Sequence, residues 1–408
     1  MNAPSHSAVS SVHVAWRAVV PAFAAVTVSV LPGFLTAGLA VQIGNGIGLG
    51  LTGLGVVIGV FFAASTLGSP LMGALVQRVG WARGLRLSSF MAAVSLAGIA
   101  FAAPTPVAFG AWLVLGGLAI SLAQPAANLT VARCVGSRRR GFLFGAKHAS
   151  APAAIFLGGL AVPAVALTVG WEWAFWGGSA LALLTALAVP LRPADHEVDS
   201  PNRPVEQVGR PSTPLGLLIA LAGAAMLGIG GINALASFTV TYAVHAGFGE
   251  STAGLLLAGG SLAGITTRLV AGWLIDRTDR ADLTAVASML TVGALGVAGI
   301  ALGTHAGLIL GGVLAFGAGW GWSGLFTFAV VKDNPEAPAT ATGITQTGVF
   351  LGAAIGPPVF GLVADTVSFT AAWWMTGAAL VGAAAIILFV RSHRHTHLWS
   401  ASTWRAAT

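Results

Sequence analysis

Two basic side chains stand inside the long apolar runs of this chain, and no acidic ones do. Arg268 belongs to the four-residue series Gly260, Gly264, Arg268, Gly272. On a helix that spacing forms one close-packing stripe turned toward neighbouring protein. Lys147 shares a helix face with Ser150, Ala151, Ala154 and Gly158. A cation at membrane depth costs ~2.5–3.5 kcal/mol on insertion scales, so a residue kept there has a use. The chemistry open to the pair is recognition of a small anion, Arg268 offering a planar fork and Lys147 a point charge. The opposing reading is that backbone carbonyls neutralise each cation, or that the long side chains snorkel to the interface.

The twelve acids, from Glu172 to Asp365, all fall in loops or at span ends. An acidic proton relay and a counter-charge for a cationic drug are therefore both missing from the spans. Asn233, near the middle of span seven, and Gln346, low in span eleven, are further candidates for polar contact with a substrate. Trp320 is a candidate aromatic wall with Trp322, although packing explains both equally well. His148 is a proton carrier beside Lys147 or a satisfied polar group. The tail pattern His393-x-His395-x-His397 lacks the further ligands of a closed metal site. No metal, cofactor or catalytic cluster is expected.

Helices of membrane length must position these residues. Only 8% of the 408 residues are charged, against roughly 25% in soluble domains. Hydrophobic residues make up 56%, and mean hydropathy is +0.87. The runs reach the twenty or so residues that cross a hydrocarbon core of ~30 Å. We expect an all-α membrane protein of twelve transmembrane helices, at about 17–42, 51–76, 85–103, 107–132, 141–167, 171–191, 215–243, 251–275, 283–303, 307–331, 340–364 and 371–391. The first six form an N-terminal bundle (1–191) and the last six a C-terminal bundle (215–391). Between them, 192–214 holds five prolines and reads as a solvated linker; 392–408 is a tail. Loops on the termini side carry Lys and Arg and the opposite loops carry none, which puts both termini in the cytoplasm of a cell-membrane protein. The net charge of +7 is thus a topological signal and not a nucleic-acid footprint. Cys134 is the single cysteine and cannot form an internal disulfide.

The halves repeat. Gly73-Ala-Leu-Val-Gln77-Arg78 corresponds to Gly272-Trp-Leu-Ile-Asp276-Arg277 at an offset of 199, and Gly145 to Gly343, Gly158 to Gly356 and Trp176 to Trp374 at 198. Parallel repeats of six spans place a site at the repeat interface near the midplane. With these motifs the chain resembles the major facilitator superfamily, whose loop signature Gly-x-x-x-Asp-Arg-x-Gly-Arg is similar to Gly272–Arg280. Gly145-Ala-Lys147-His148 is similar to a segment of cyanate and nitroimidazole-type carriers, and an arginine in span eight to that of monocarboxylate and oxalate carriers. The resemblance implies two pseudo-symmetric bundles working by alternating access, with spans five and eight facing each other across a central cavity. It implies a conformational latch at Asp276 and Arg277, with Arg78 its counterpart in the first half, weakened where Gln77 replaces the acid. An acid at a helix C-terminus meets the negative end of the dipole and needs such a partner; the bland alternative is a solvated loop acid.

We expect a secondary transporter for a small anion, working as a monomer in the bilayer and co-transporting a proton. The alternative is a multidrug or hydrophobic-solute exporter, weakened by Ala151-Pro152 where such exporters carry Gly-Pro. A membrane enzyme or channel is the third class; no nucleotide loop, filter repeat or paired intramembrane acid supports it.

Overall fold

The computed structural model describes the backbone of residues 6–134, 140–190, 210–278 and 282–405. The first half holds α1 (His6–Gly38), α2 (Ala40–Ile47), α3 (Leu51–Val79), α4 (Trp81–Ala102), α5 (Pro106–Cys134), α6 (Arg140–His148), α7 (Ser150–Ala161) and α8 (Trp171–Ala188). The second holds α9 (Leu215–His245), α10 (Glu250–Thr278), α11 (Leu283–Ala301), α12 (His305–Asp333), α13 (Pro338–Thr366) and α14 (Phe369–Arg405). Among the described residues, eleven helices are long and apolar enough to cross a membrane. The expected sixth span is α8, eighteen residues long, whose first turn carries Glu172 between two tryptophans and so dilutes its apolar character. Residues 192–209 of the linker and 406–408 of the tail lie outside the described residues, as do the tail side chains from 394 on.

Two expected spans are interrupted. The first ends at Gly38 and continues as the short α2. The fifth is divided into α6, α7 and a π-helical turn, Val162–Ala166. Proline explains the second case, because Pro152 and Pro163 have no N–H to give to the carbonyl four residues back.

The outer surface is apolar: Leu67, Phe101, Val107, Leu187 and Leu310 are exposed, while Arg268 and Lys147 are only 5% and 7% exposed. That inversion of the soluble pattern suits a lipid solvent, where helices associate through close approach of small residues. A methyl on Gly158 would lie 2.6 Å from the Phe34 carbonyl oxygen of α1. In the second half, Gly356 of α13 meets the Gly230 carbonyl of α9 in the same way. The partners Gly158 and Gly356 are the pair found 198 apart in sequence, so the repeat is a repeat of packing. Arg86 donates to the Val189 carbonyl through Nε at 2.9 Å and Nη2 at 2.5 Å, satisfying the end of α8.

The halves meet along two seams of different kind. Where α7 and α6 face α10, contact runs the whole length: Gly159 abuts the Gly254 carbonyl, and a methyl on Gly145 would lie 2.8 Å from the Arg268 carbonyl. Where α3 faces α13, contact is confined to the end away from the termini. There Gly55 abuts the Pro357 carbonyl and Gly361 the Leu51 carbonyl. At the other end of these helices, Gly73 and Gly343 have nothing within 4 Å of their absent side chains. The helices splay, and a cavity opens toward the end that carries the termini.

Candidate functional site: a cationic cavity between the halves

The cavity has a volume of about 430 Å3 and takes its walls from both halves. It falls within the ~300–1,000 Å3 usual for small-molecule sites. Arg268, Lys147, Asn233, Gln346 and Trp320 all line it. Sequence reasoning placed these five on five different spans, and the fold brings them to one chamber.

Arg268 is held on three sides. Its Nε donates to the Trp320 carbonyl at 3.0 Å, and Nη2 donates to the same oxygen at 2.7 Å and to Ser323 Oγ at 3.2 Å. Nη1 donates to the His148 carbonyl of the other half. That carbonyl is available because Pro152, four residues on, has no N–H for it. Guanidinium carbon Cζ also lies 5.0 Å from the centre of the Trp320 ring. Backbone carbonyls thus neutralise part of the charge, as the opposing reading of the sequence held. Among the described residues, four of the five guanidinium N–H groups find acceptors, and one of Nη1 finds none.

Lys147 donates to Asn128 Oδ1 at 2.6 Å. Its two other N–H groups have no partner among the described residues. Among the described residues, no carboxylate lines the cavity. Asn233 and Gln346 make no side-chain hydrogen bond among the described residues and line the cavity. Trp320 Nε1 donates to the Ile232 carbonyl at 2.9 Å, and its ring meets Phe34 edge-on at 6.0 Å. Trp322 also lines the cavity, and it is fully buried and packs on Phe326.

The sequence reading missed Asn128, Gln124, Ser323 and Thr327, which also line the cavity. A signal for them existed. Gln124 and Asn128 are one helical turn apart, as are Ser323 and Thr327, and the pairs are related by the repeat offset (323 − 124 = 199; 327 − 128 = 199). It also passed over the aromatic wall of Phe34, Phe62 and Phe350.

The end away from the termini is closed by polar bonds between the halves. Gln42 Nε2 donates to Glu250 Oε2 at 2.8 Å, and Thr52 Oγ1 to Asp365 Oδ2 at 2.7 Å. At the termini-bearing end, Arg78 and Arg277 are exposed, and the Arg277 Cζ sits 4.1 Å from the centre of the Trp273 ring one turn back. The Asp276 side chain lies outside the described residues.

Two helical bundles around a chamber sealed at one end define a solute carrier. The chain belongs to the Major Facilitator Superfamily, whose family model matches residues 21–348. It is 30% identical over 378 residues to a chloramphenicol resistance protein of Streptomyces lividans, covering 87% of this chain and 91% of that one. It is also similar to monocarboxylate transporter 11 of Homo sapiens, at 26% identity over 347 residues, 80% of this chain and 72% of that one. The protein is a multi-pass membrane transporter, not an enzyme.

Proposed function

We propose that this transporter is a secondary carrier for an organic anion, working by alternating access, with both termini in the cytoplasm of the cell membrane. One observation carries the reading: among the described residues, the chamber between the halves is lined by Arg268 and Lys147 and by no carboxylate. Two buried cations in a low dielectric repel each other, and an arriving anion supplies the missing charge. Chamber size and the Phe34, Phe62 and Phe350 wall favour an anion with an apolar body over an inorganic ion, which would give up its hydration to aromatic carbon. The monocarboxylate transporter relative agrees with this class of substrate.

The test is thermal stabilisation of the purified protein by benzoate, lactate, oxalate, sulfate, chloramphenicol and tetraphenylphosphonium, since a ligand that binds only the native state raises the melting temperature. Stabilisation by benzoate or lactate supports the reading; stabilisation by tetraphenylphosphonium alone ends it. A second reading, export of an uncharged aromatic molecule, has the aromatic wall and the chloramphenicol resistance relative in its favour. Stabilisation by chloramphenicol without any anion would establish it. For orientation, labelling of a cysteine at position 202 from outside intact cells, with one at 247 protected, would reverse the topology.

A further inference from the structure

The two cations of the chamber are held so differently that they do different work. Arg268 has four of its five N–H groups bound to carbonyl or hydroxyl oxygen, and a guanidinium stays charged in proteins. Among the described residues Lys147 has one hydrogen-bond partner, the Asn128 amide, and a buried lysine changes its protonation state far more readily than an arginine does. An amide suits both states. Its oxygen accepts from the ammonium, and its NH2 donates to the lone pair of the neutral amine once the amide turns over. A carboxylate in that place would hold the ammonium and forbid the exchange.

Resting on the anion reading above, we propose that Lys147 carries the coupling proton of the transport cycle. Charge arithmetic supports it. With Lys147 protonated and no anion, the chamber bears two positive charges, and closing it to water strands both in low dielectric. With a bound monoanion, protonated Lys147 and Arg268, the net charge is one. When the anion leaves, the Nζ–H bond breaks, the proton passes to water in the open chamber, and the amine keeps the electron pair. The empty chamber then again bears one charge, on Arg268 alone. Loaded and empty carriers cross with equal charge, and anion and proton move together. Among the described residues, the other ionisable groups facing Lys147 are His148 on its own helix and Arg268 on α10; the described lining residues of α1, α3, α5, α9, α12 and α13 include none.

The empty carrier tests this without a substrate. Spin labels at Gln77→Cys on α3 and Thr340→Cys on α13, in a Cys134→Ser background, report the width of the opening by pulsed electron resonance. Raising the solution from about pH 6 to about pH 9 should move the wild-type population roughly tenfold toward the shorter distance, because neutral Lys147 permits closure. Lys147→Met and Lys147→Gln should close equally at both pH values, and Lys147→Arg should stay open at both. His148→Gln should respond as the wild type does. A pH response that survives in both neutral variants, that is absent from the wild type, or that vanishes in His148→Gln overturns the proposal. The anion reading fails separately, in the stabilisation panel, and leaves this measurement untouched.

Discussion

Arg268 is bound twice to one residue: its guanidinium donates two hydrogen bonds to the Trp320 carbonyl and lies over the Trp320 ring. Trp320 is in turn fixed by its indole N–H on the Ile232 carbonyl of α9. The arginine is therefore held across α10, α12 and α9, and beside its bonds to Trp320 and Ser323 a fourth, to the His148 carbonyl, reaches the other half.

A point charge cannot reproduce this arrangement. Arg268→Lys keeps the charge but loses the fork, and should weaken anion-dependent stabilisation by at least about tenfold in affinity. Arg268→Ala should abolish it while the protein still inserts and folds. Isothermal titration or the stabilisation panel checks both; an Ala variant that binds anions normally ends the role of Arg268.

Pro152→Ala should act on Arg268 from a distance. An alanine N–H can take the His148 carbonyl into the helix ladder, and interior proline costs a helix ~3 kcal/mol or more. Stability should stay level or rise, while anion affinity falls because Arg268 loses its hold on the first half. A drop in melting temperature with unchanged affinity would show that the proline serves packing alone.

The far closure should depend on Glu250. Gln42→Ala or Glu250→Gln removes or weakens the 2.8 Å bond between α2 and α10. Hydrogen bonds net about 0.5–1.5 kcal/mol, so the carrier should shift roughly two- to tenfold toward the state open at that end. A cysteine at Val30, which lines the chamber, reports this as faster reaction with an impermeant thiol reagent added from the side away from the termini. Unchanged labelling in both variants would mean that the close backbone packing at Gly55 and Gly361 suffices for closure.

Asp276→Asn should disturb the balance between conformations and slow transport more than Gln77→Ala does, if the loop signature is a latch. Transport rates in proteoliposomes decide it. Equal and negligible effects would leave the motif a loop signature, with Arg277 resting on Trp273.

Much of this protein could be read from its chain. Apolar run length settles the membrane helices, and charge in the alternating loops sets the expected topology, because lipid excludes both unpaired backbone and unpaired charge. The offset of 198 to 199 residues gave away the two bundles, and the depth of Arg268 and Lys147 singled out two residues that the fold brings to one chamber. What holds those cations was not legible. Asn128 is 19 residues from Lys147, the Trp320 carbonyl and Ser323 are 52 and 55 residues from Arg268 and the His148 carbonyl 120, and a backbone oxygen has no side-chain signature at all. Pro152 is visible in sequence, yet its consequence appears only when α10 lies close enough to use the carbonyl it frees. The splay of α3 from α13 is likewise a product of tertiary packing, since Gly55 and Gly73 are the same residue on the same helix, and only the position of α13 makes one a seal and the other an opening.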